Sequence, residues 1–161
     1  MAEAPSEQEV NRRRKVEALR AAGIEPYQSR YEKTHTCVEA LALFTDLEKR
    51  EGPQARTEPV SLAGRLVSIR VMGKATFAHI QDGTGRLQLH VKVDAVGAAA
   101  YQRFTELDLG DFIGALGPLF RTKRGEVTCE VHEFLLLAKA LRPLPEKYHG
   151  LKDKELRYRQ R

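Results

Sequence analysis

The sequence predicts a mainly β protein with helices: a five-stranded OB-fold, which is a Greek-key barrel, with an N-terminal helical appendage. Between residues 59 and 138, apolar and polar side chains alternate in runs of strand length. A helical stretch follows the third run, which gives three strands, a helix and two strands. The first run is long and changes phase near Gly64, a pattern typical of a bulge or bend. An SH3-like barrel and a meander sheet are alternatives, but the helix after the third strand favours the OB-fold.

Composition restricts the class of protein. The chain of 161 residues has 27 Lys and Arg against 22 Asp and Glu, a net charge of +5, which suits a polyanionic partner without requiring one. It contains no apolar run long enough to span a bilayer and no signal-peptide pattern. We therefore expect a cytoplasmic protein that does not bind membranes.

The sequence shows no catalytic or metal-binding pattern. Cys37 and Cys129 lie far apart, and Cys129 falls in an apolar row, so both are predicted to be reduced core residues. The histidines and cysteines lack the spacing of metal ligands, and neither a nucleophile motif nor a phosphate-binding loop is present. We expect no catalytic residue, no metal and no cofactor in this chain.

The N-terminal part is predicted to be helical. Residues 1–9 are expected to be a disordered polar tail, and residues 10–55 a helical region. A first helix is predicted over residues 12–22, where apolar residues recur at helical spacing. A second helix should begin after Thr36, which forms a capping-box pattern with Glu39.

The remaining chain divides into a strand-rich domain and an exit segment. Residues 56–141 are predicted to form the OB-fold, and residues 142–161 a linker and the start of a further, absent domain. The predicted elements are a strand over 60–72, two strands flanking a turn at 82–85, a helix over 95–104, and strands over 111–121 and 126–138.

Phe77 is the first candidate for nucleic-acid contact. Strand alternation directs Ile80 inward and leaves Phe77 on the outer face among polar and basic side chains. An exposed aromatic ring in such surroundings is typical of a surface that stacks nucleobases, although burial beneath the N-terminal helices is an alternative. Three neighbours are expected to be ordinary solvent-facing residues: His79, His90 and Lys92.

Three polar side chains are predicted to share the face of Phe77. Arg70 is a candidate for contacts to a base edge or a phosphate, and pairing with Glu126 is its alternative. Gln88 both donates and accepts, so it suits a base edge, and simple solvation is its alternative. Glu126 suits an amino or imino group of a base, or it orients an arginine.

Basic residues supply candidate phosphate contacts. Arg12 and Arg13 begin a basic cluster on the first helix, whose alternative interpretation is a solvated helix face. Three more candidates are Lys74, Lys123 and Arg124, which lie in or beside predicted turns.

Several segments resemble one family. The chain is similar to the anticodon-binding domain of class II, bacterial-type lysyl-tRNA synthetases, from the first helix onward. The segments that carry this resemblance are residues 64–65, 70–78, 80–82, 108–111, 122–126, 141–147, 149–151 and 157–161. Arg124 departs from the family, which commonly has threonine there.

The resemblance implies a function in reading the anticodon stem-loop of lysine tRNA, tRNA(Lys), whose central and third anticodon positions are uridines. It implies that Phe77 stacks on the central uridine, that Arg70 and Gln88 hydrogen-bond that base, and that Glu126 belongs to the same pocket. The resemblance also implies a parent enzyme, a lysine–tRNA ligase, that uses ATP and Mg²⁺ in a catalytic domain and is a homodimer. The resemblance therefore implies that this chain is inactive alone. A module that docks a protein, or binds single-stranded nucleic acid without anticodon specificity, is the alternative.

Overall fold

The computed structural model describes residues 4–144, in which seven strands and four helices are found. The helices are α1 (Glu7–Ala21), α2 (Cys37–Glu51), α3 (Val93–Val96) and α4 (Ala98–Thr105). The strands are β1 (Val60–Met72), β2 (Ala75–Gln81), β3 (Arg86–Lys92), β4 (Phe112–Gly117), β5 (Leu119–Arg121), β6 (Val127–Glu130) and β7 (Glu133–Ala138). Residues 145–161, and with them most of the predicted linker, lie outside the described part, as do residues 1–3. No helix within residues 4–144 has the length and apolar character needed to cross a membrane.

The seven strands form one mixed sheet in the order β5-β6-β3-β2-β1-β4-β7. The predicted OB-fold with N-terminal helices is confirmed, but the sheet is not closed and the fourth and fifth predicted strands are each divided in two. Pro118 separates β4 from β5, because proline has no N–H to donate to a sheet. The parts of one divided strand still pair with the parts of the other: β4 pairs with β7 and β5 with β6, both antiparallel.

The strand division coincides with a close crossing of two backbones. A Cβ atom at Gly117 would overlap the carbonyl oxygen of Glu130. On either side of this point, the Glu130 N–H donates to the Pro118 carbonyl at 2.9 Å and the His132 N–H to the Leu116 carbonyl at 2.8 Å. Glycine is therefore required here for steric reasons, since only a residue without Cβ permits this approach.

The irregularity in β1 lies at a different residue from the one predicted. The register of β1 against β2 shifts between Leu66 and Ser68, which places the bulge at Val67 instead of Gly64. Gly64 has another role, because a Cβ there would lie 3.0 Å from the carbonyl oxygen of Gln81. The predicted irregularity in β1 is present as this bulge, but Gly64 marks a close strand contact.

The first helix starts earlier than predicted. α1 begins at Glu7, because Ser6 and Glu9 form a capping box in which each side chain accepts from the other residue's backbone N–H. The expectation of a disordered tail through residue 9 is therefore wrong for residues 7–9.

The second helix is fixed to the β2–β3 turn. The predicted capping box of Thr36 and Glu39 is present. In addition, Asp82 accepts the Cys37 N–H at 2.9 Å, and Thr84 accepts the Val38 N–H at 3.2 Å. The turn thus satisfies two of the N–H groups that a helix N-terminus leaves without partners.

The apolar core lies between the sheet, α2 and α4. Its largest fully buried side chains include Phe44 of α2 and Phe104 of α4. Cys37 and Cys129 are both fully buried with free thiols, as core residues should be. Burial raises the pKa of the Cys129 thiol to about 12 and is the main cause that raises that of Cys37 to about 11.

The chain exit is held by a buried ion cluster. Lys139 is almost fully buried, and its ammonium lies 2.8 Å from Asp111 and 2.5 Å from Asp108. Lys15 of α1 joins this cluster at 3.0 Å from Asp108. The cluster therefore joins α1 to the residues that follow β7. The domain limits at residues 55 and 141 stay predictions.

Candidate nucleic-acid interface

The strand register brings the predicted site residues onto one face of the sheet. Arg70 of β1 lies opposite Phe77 of β2, and Phe77 lies opposite His90 of β3. His90 is in turn opposite Glu130 of β6. These four residues form one row across four strands, which we call the stacking row.

Phe77 lies on the outer face, as alternation predicted. Its neighbours Thr76 and Ala78 are fully buried on the opposite face, whereas Phe77 is half-buried. The ring stacks on His90 with a centroid separation of 4.4 Å and an interplanar angle of 7°. Since His90 covers one face of the ring, the other face is directed toward β1 and Arg70. The alternative in which the N-terminal helices bury Phe77 does not hold.

His90 is a half-buried part of this stack, so the expectation of a solvent-facing side chain is wrong for it. Phe120 lies beyond it, tilted by 46° at 6.4 Å. Burial lowers the pKa of the imidazole, and the positive charge of Lys92 lowers it further. Among the described residues, the buried Nδ1 atom of His90 has no hydrogen-bond partner. All these features favour the neutral ring, which stacks as an uncharged aromatic.

The stacking row ends in a carboxylate that is neutralised. Glu130 forms an ion pair with Arg56 and lies 3.8 Å from the Lys92 ammonium. Arg56 also lies over the Phe120 ring at 5.6 Å from its centroid. This end of the face is therefore not a site of uncompensated negative charge, which would repel a polyanion.

A second row beside the stacking row holds polar groups. Gln88 lies opposite His79 on one side and Thr128 on the other. The Thr128 hydroxyl donates to Gln88 Oε1 at 2.7 Å, so Gln88 is held in place and is not simply solvated. We call Ser68, His79, Gln88 and Thr128 the polar row.

Glu126 reaches this face from the turn before β6. Its Oε1 atom lies 2.6 Å from Nε2 of His79, and Nδ1 of His79 lies 2.8 Å from the Ser68 hydroxyl. The expectation of an ordinary solvent-facing residue is therefore wrong for His79. The alternative pairing of Arg70 with Glu126 is replaced by the pair with His79.

The predicted phosphate contacts divide into two groups. The side chains of Arg13, Lys74, Lys123 and Arg124 are exposed, and their role stays a prediction.

Arg12, the fifth predicted phosphate contact, differs from these exposed residues. It is only 8% exposed, and its Nη1 donates to the carbonyl oxygens of Ala140 and Arg142, each at 3.1 Å. Its guanidinium therefore anchors the exit segment to α1 and is not available to a phosphate.

The strand pattern contained a signal for the two missed histidines. His79 and His90 have the same parity as Phe77 and Gln88 in their strands, so alternation places them on the same face. Their hydrogen-bond and stacking partners, however, come from other strands and were not identifiable before the register was known.

Comparison with known proteins points to a single family. Residues 60–137 match a family model described as an OB-fold nucleic acid binding domain. The chain is 53% identical to a lysine–tRNA ligase of Pelotomaculum thermopropionicum over 93% of its own length and 28% of that protein. It is 47% identical to the ligase of Enterococcus faecalis, over 97% of this chain and 31% of that protein. It is 49% identical to that of Bacillus subtilis, over 93% and 30%.

The chain spans less than a third of the curated relatives it matches. The family match runs from the start of β1 to the penultimate residue of β7, and thus includes both rows of the outer face. The chain therefore belongs to the family of OB-fold anticodon-binding domains found in lysine–tRNA ligases.

Proposed function

We propose that the outer face of the sheet binds the anticodon loop of a lysine tRNA, with Phe77 stacking on the central uridine. The observation that carries the proposal is the parallel stack of Phe77 on His90 at 4.4 Å. Among the described residues no second aromatic ring stacks on Phe77, and base–aromatic stacking contributes about 1–3 kcal/mol per base.

The hydrogen-bonding groups around this ring suit a uracil edge. Arg70 donates only, so it complements a carbonyl oxygen of the base. The Glu126 carboxylate accepts only, so it complements the imino N–H of uridine. Gln88, held by Thr128, lies in the neighbouring row. In this proposal, phosphates of the RNA are contacted by the exposed side chains of Arg13, Lys74, Lys123 and Arg124.

The proposal also extends to the whole protein. The relatives are lysine–tRNA ligases, and we infer that this chain serves such an enzyme in the cytoplasm. In this proposal, ATP- and Mg²⁺-dependent charging of tRNA and homodimer formation belong to the part of the relatives that the chain does not cover.

A binding titration tests the proposal. The full chain is titrated against a short RNA hairpin with UUU in its loop, and against the same hairpin with the central uridine replaced by cytosine. We expect tighter binding to the UUU loop and an affinity that falls steeply with salt, since phosphate contacts release counterions. Equal affinity for both hairpins, with little salt dependence, would instead favour a module that docks a protein.

A further inference from the structure

Three side chains from separate segments form a continuous hydrogen-bonded chain on the outer face. Ser68 lies on β1, His79 on β2 and Glu126 in the turn between β5 and β6. The two distances are 2.8 Å from the Ser68 hydroxyl to His79 Nδ1, and 2.6 Å from His79 Nε2 to Glu126 Oε1. No sequence motif links these three residues, and only the tertiary structure brings them together.

The chemistry of the groups fixes the direction of this chain. A carboxylate only accepts, so the proton at the short contact is on Nε2 of His79 and is donated to Glu126. In a neutral imidazole Nδ1 then accepts, and the Ser68 hydroxyl donates to it. The Glu126 carboxylate thereby sets the tautomer of His79, and the Ser68 hydroxyl, which can donate or accept, completes the chain at Nδ1.

The orientation of the Glu126 side chain depends on the hydrogen bond from His79. Its side chain is 49% exposed and belongs to a turn, where a glutamate without a partner samples many rotamers. Ordering it only when RNA binds would weaken binding, whereas a carboxylate already in position avoids that loss. His79 occupies Oε1, and within residues 4–144 no further side-chain hydrogen bond to this carboxylate is found. Oε2 is thus placed to accept an N–H from a base.

We infer that His79 is a positioning residue that fixes the Glu126 carboxylate, and through it the preference of the site for a base edge carrying an imino N–H. The inference rests on the proposed function. Uracil presents such an N–H at N3, whereas cytosine presents a lone pair there, which a fixed carboxylate repels. A mobile carboxylate turns away and loses this discrimination.

The experiment measures a ratio of affinities with variants of the full chain. The UUU hairpin and its central-cytosine counterpart are titrated against the wild type, His79→Phe and His79→Gln. We expect His79→Phe, which keeps a ring but loses both hydrogen bonds, to reduce the uridine-to-cytosine preference about tenfold. His79→Gln should recover part of it, because its amide N–H can still donate to Glu126. His132→Phe is the matched control, since His132 is exposed beyond β6, and it should leave the preference unchanged.

A double-variant cycle separates positioning from general stability. If His79 acts through Glu126, His79→Phe should add little to the loss caused by Glu126→Gln alone. An unchanged preference in His79→Phe, or equal loss for both hairpins together with a lower unfolding midpoint, would overturn the inference while leaving the proposed function in place. Equal wild-type affinity for both hairpins would overturn the proposed function and the inference with it.

Discussion

Replacing Phe77 by alanine removes the open aromatic face on which the central base is proposed to stack. His90 already stacks on one face of the ring at 4.4 Å, so at most one stacking contact with a base is lost. That contact contributes about 1–3 kcal/mol, which corresponds to roughly 5- to 150-fold in affinity. We expect binding to the UUU hairpin to weaken by more than tenfold, about 1.4 kcal/mol.

The assay is fluorescence anisotropy with a labelled hairpin at one fixed salt concentration, since affinity for RNA depends on salt. Phe112→Ala is the matched control, because Phe112 is a 39%-exposed aromatic on β4 that stacks under Arg65 instead of His90. Thermal unfolding of each variant checks that the fold persists. If Phe77→Ala binds the hairpin as tightly as the wild type, the stacking argument is wrong.

Three further predictions concern stability. Asp82 accepts the backbone N–H groups of Cys37, Thr84 and Gly85 and the hydroxyl of Thr84. Burial raises the pKa of Asp82, but these hydrogen bonds outweigh it and hold the pKa well below its ordinary value of 3.8. The contribution of the Asp82 carboxylate to stability is therefore complete above about pH 3.8, and it is lost as the pH falls below that value. Asp82→Ala should reduce the free energy of unfolding by about 1–2 kcal/mol at pH 7. Urea titrations at lower pH should show a smaller difference between the variant and the wild type. Burial lowers the pKa of His90, so His90 is protonated more readily in the unfolded chain, and stability should decrease as the pH falls from about 6.5. A flat dependence of stability on pH in the His90→Phe variant over this range would confirm the prediction. The same dependence as in the wild type would contradict it. Arg12→Met should lower the free energy of unfolding by about 2–3 kcal/mol by leaving two carbonyls without their donor, yet change RNA affinity less than twofold; a large loss of affinity in a folded variant would restore Arg12 to the phosphate-contact set.

The outward direction of Arg70, Phe77 and Gln88 was predictable because it depends on local alternation. Phe77 and Gln88 are outward simply by their parity in two strands joined by a short turn. The same argument gave Arg70, since a strand keeps its alternation beyond a bulge even when the bulge is assigned to the wrong residue.

The contacts that sequence reasoning missed join distant parts of the chain. Arg12 bonds to carbonyls 128 and 130 residues away, so its burial depends on how α1 packs against the exit of β7. His79 meets Glu126 across 47 residues. A charged residue on a helix and a histidine on a strand look solvent-facing until tertiary structure supplies their partners.

The most direct test of the stacking claim is a nuclear magnetic resonance measurement on the complex of the full chain with a UUU hairpin labelled at the central uridine. Stacking on Phe77 predicts that the H5 and H6 protons of this uridine shift upfield and show nuclear Overhauser contacts to the Phe77 ring. If these protons contact other residues and the Phe77 ring resonances are unchanged on binding, the outer face does not read the base in the way proposed.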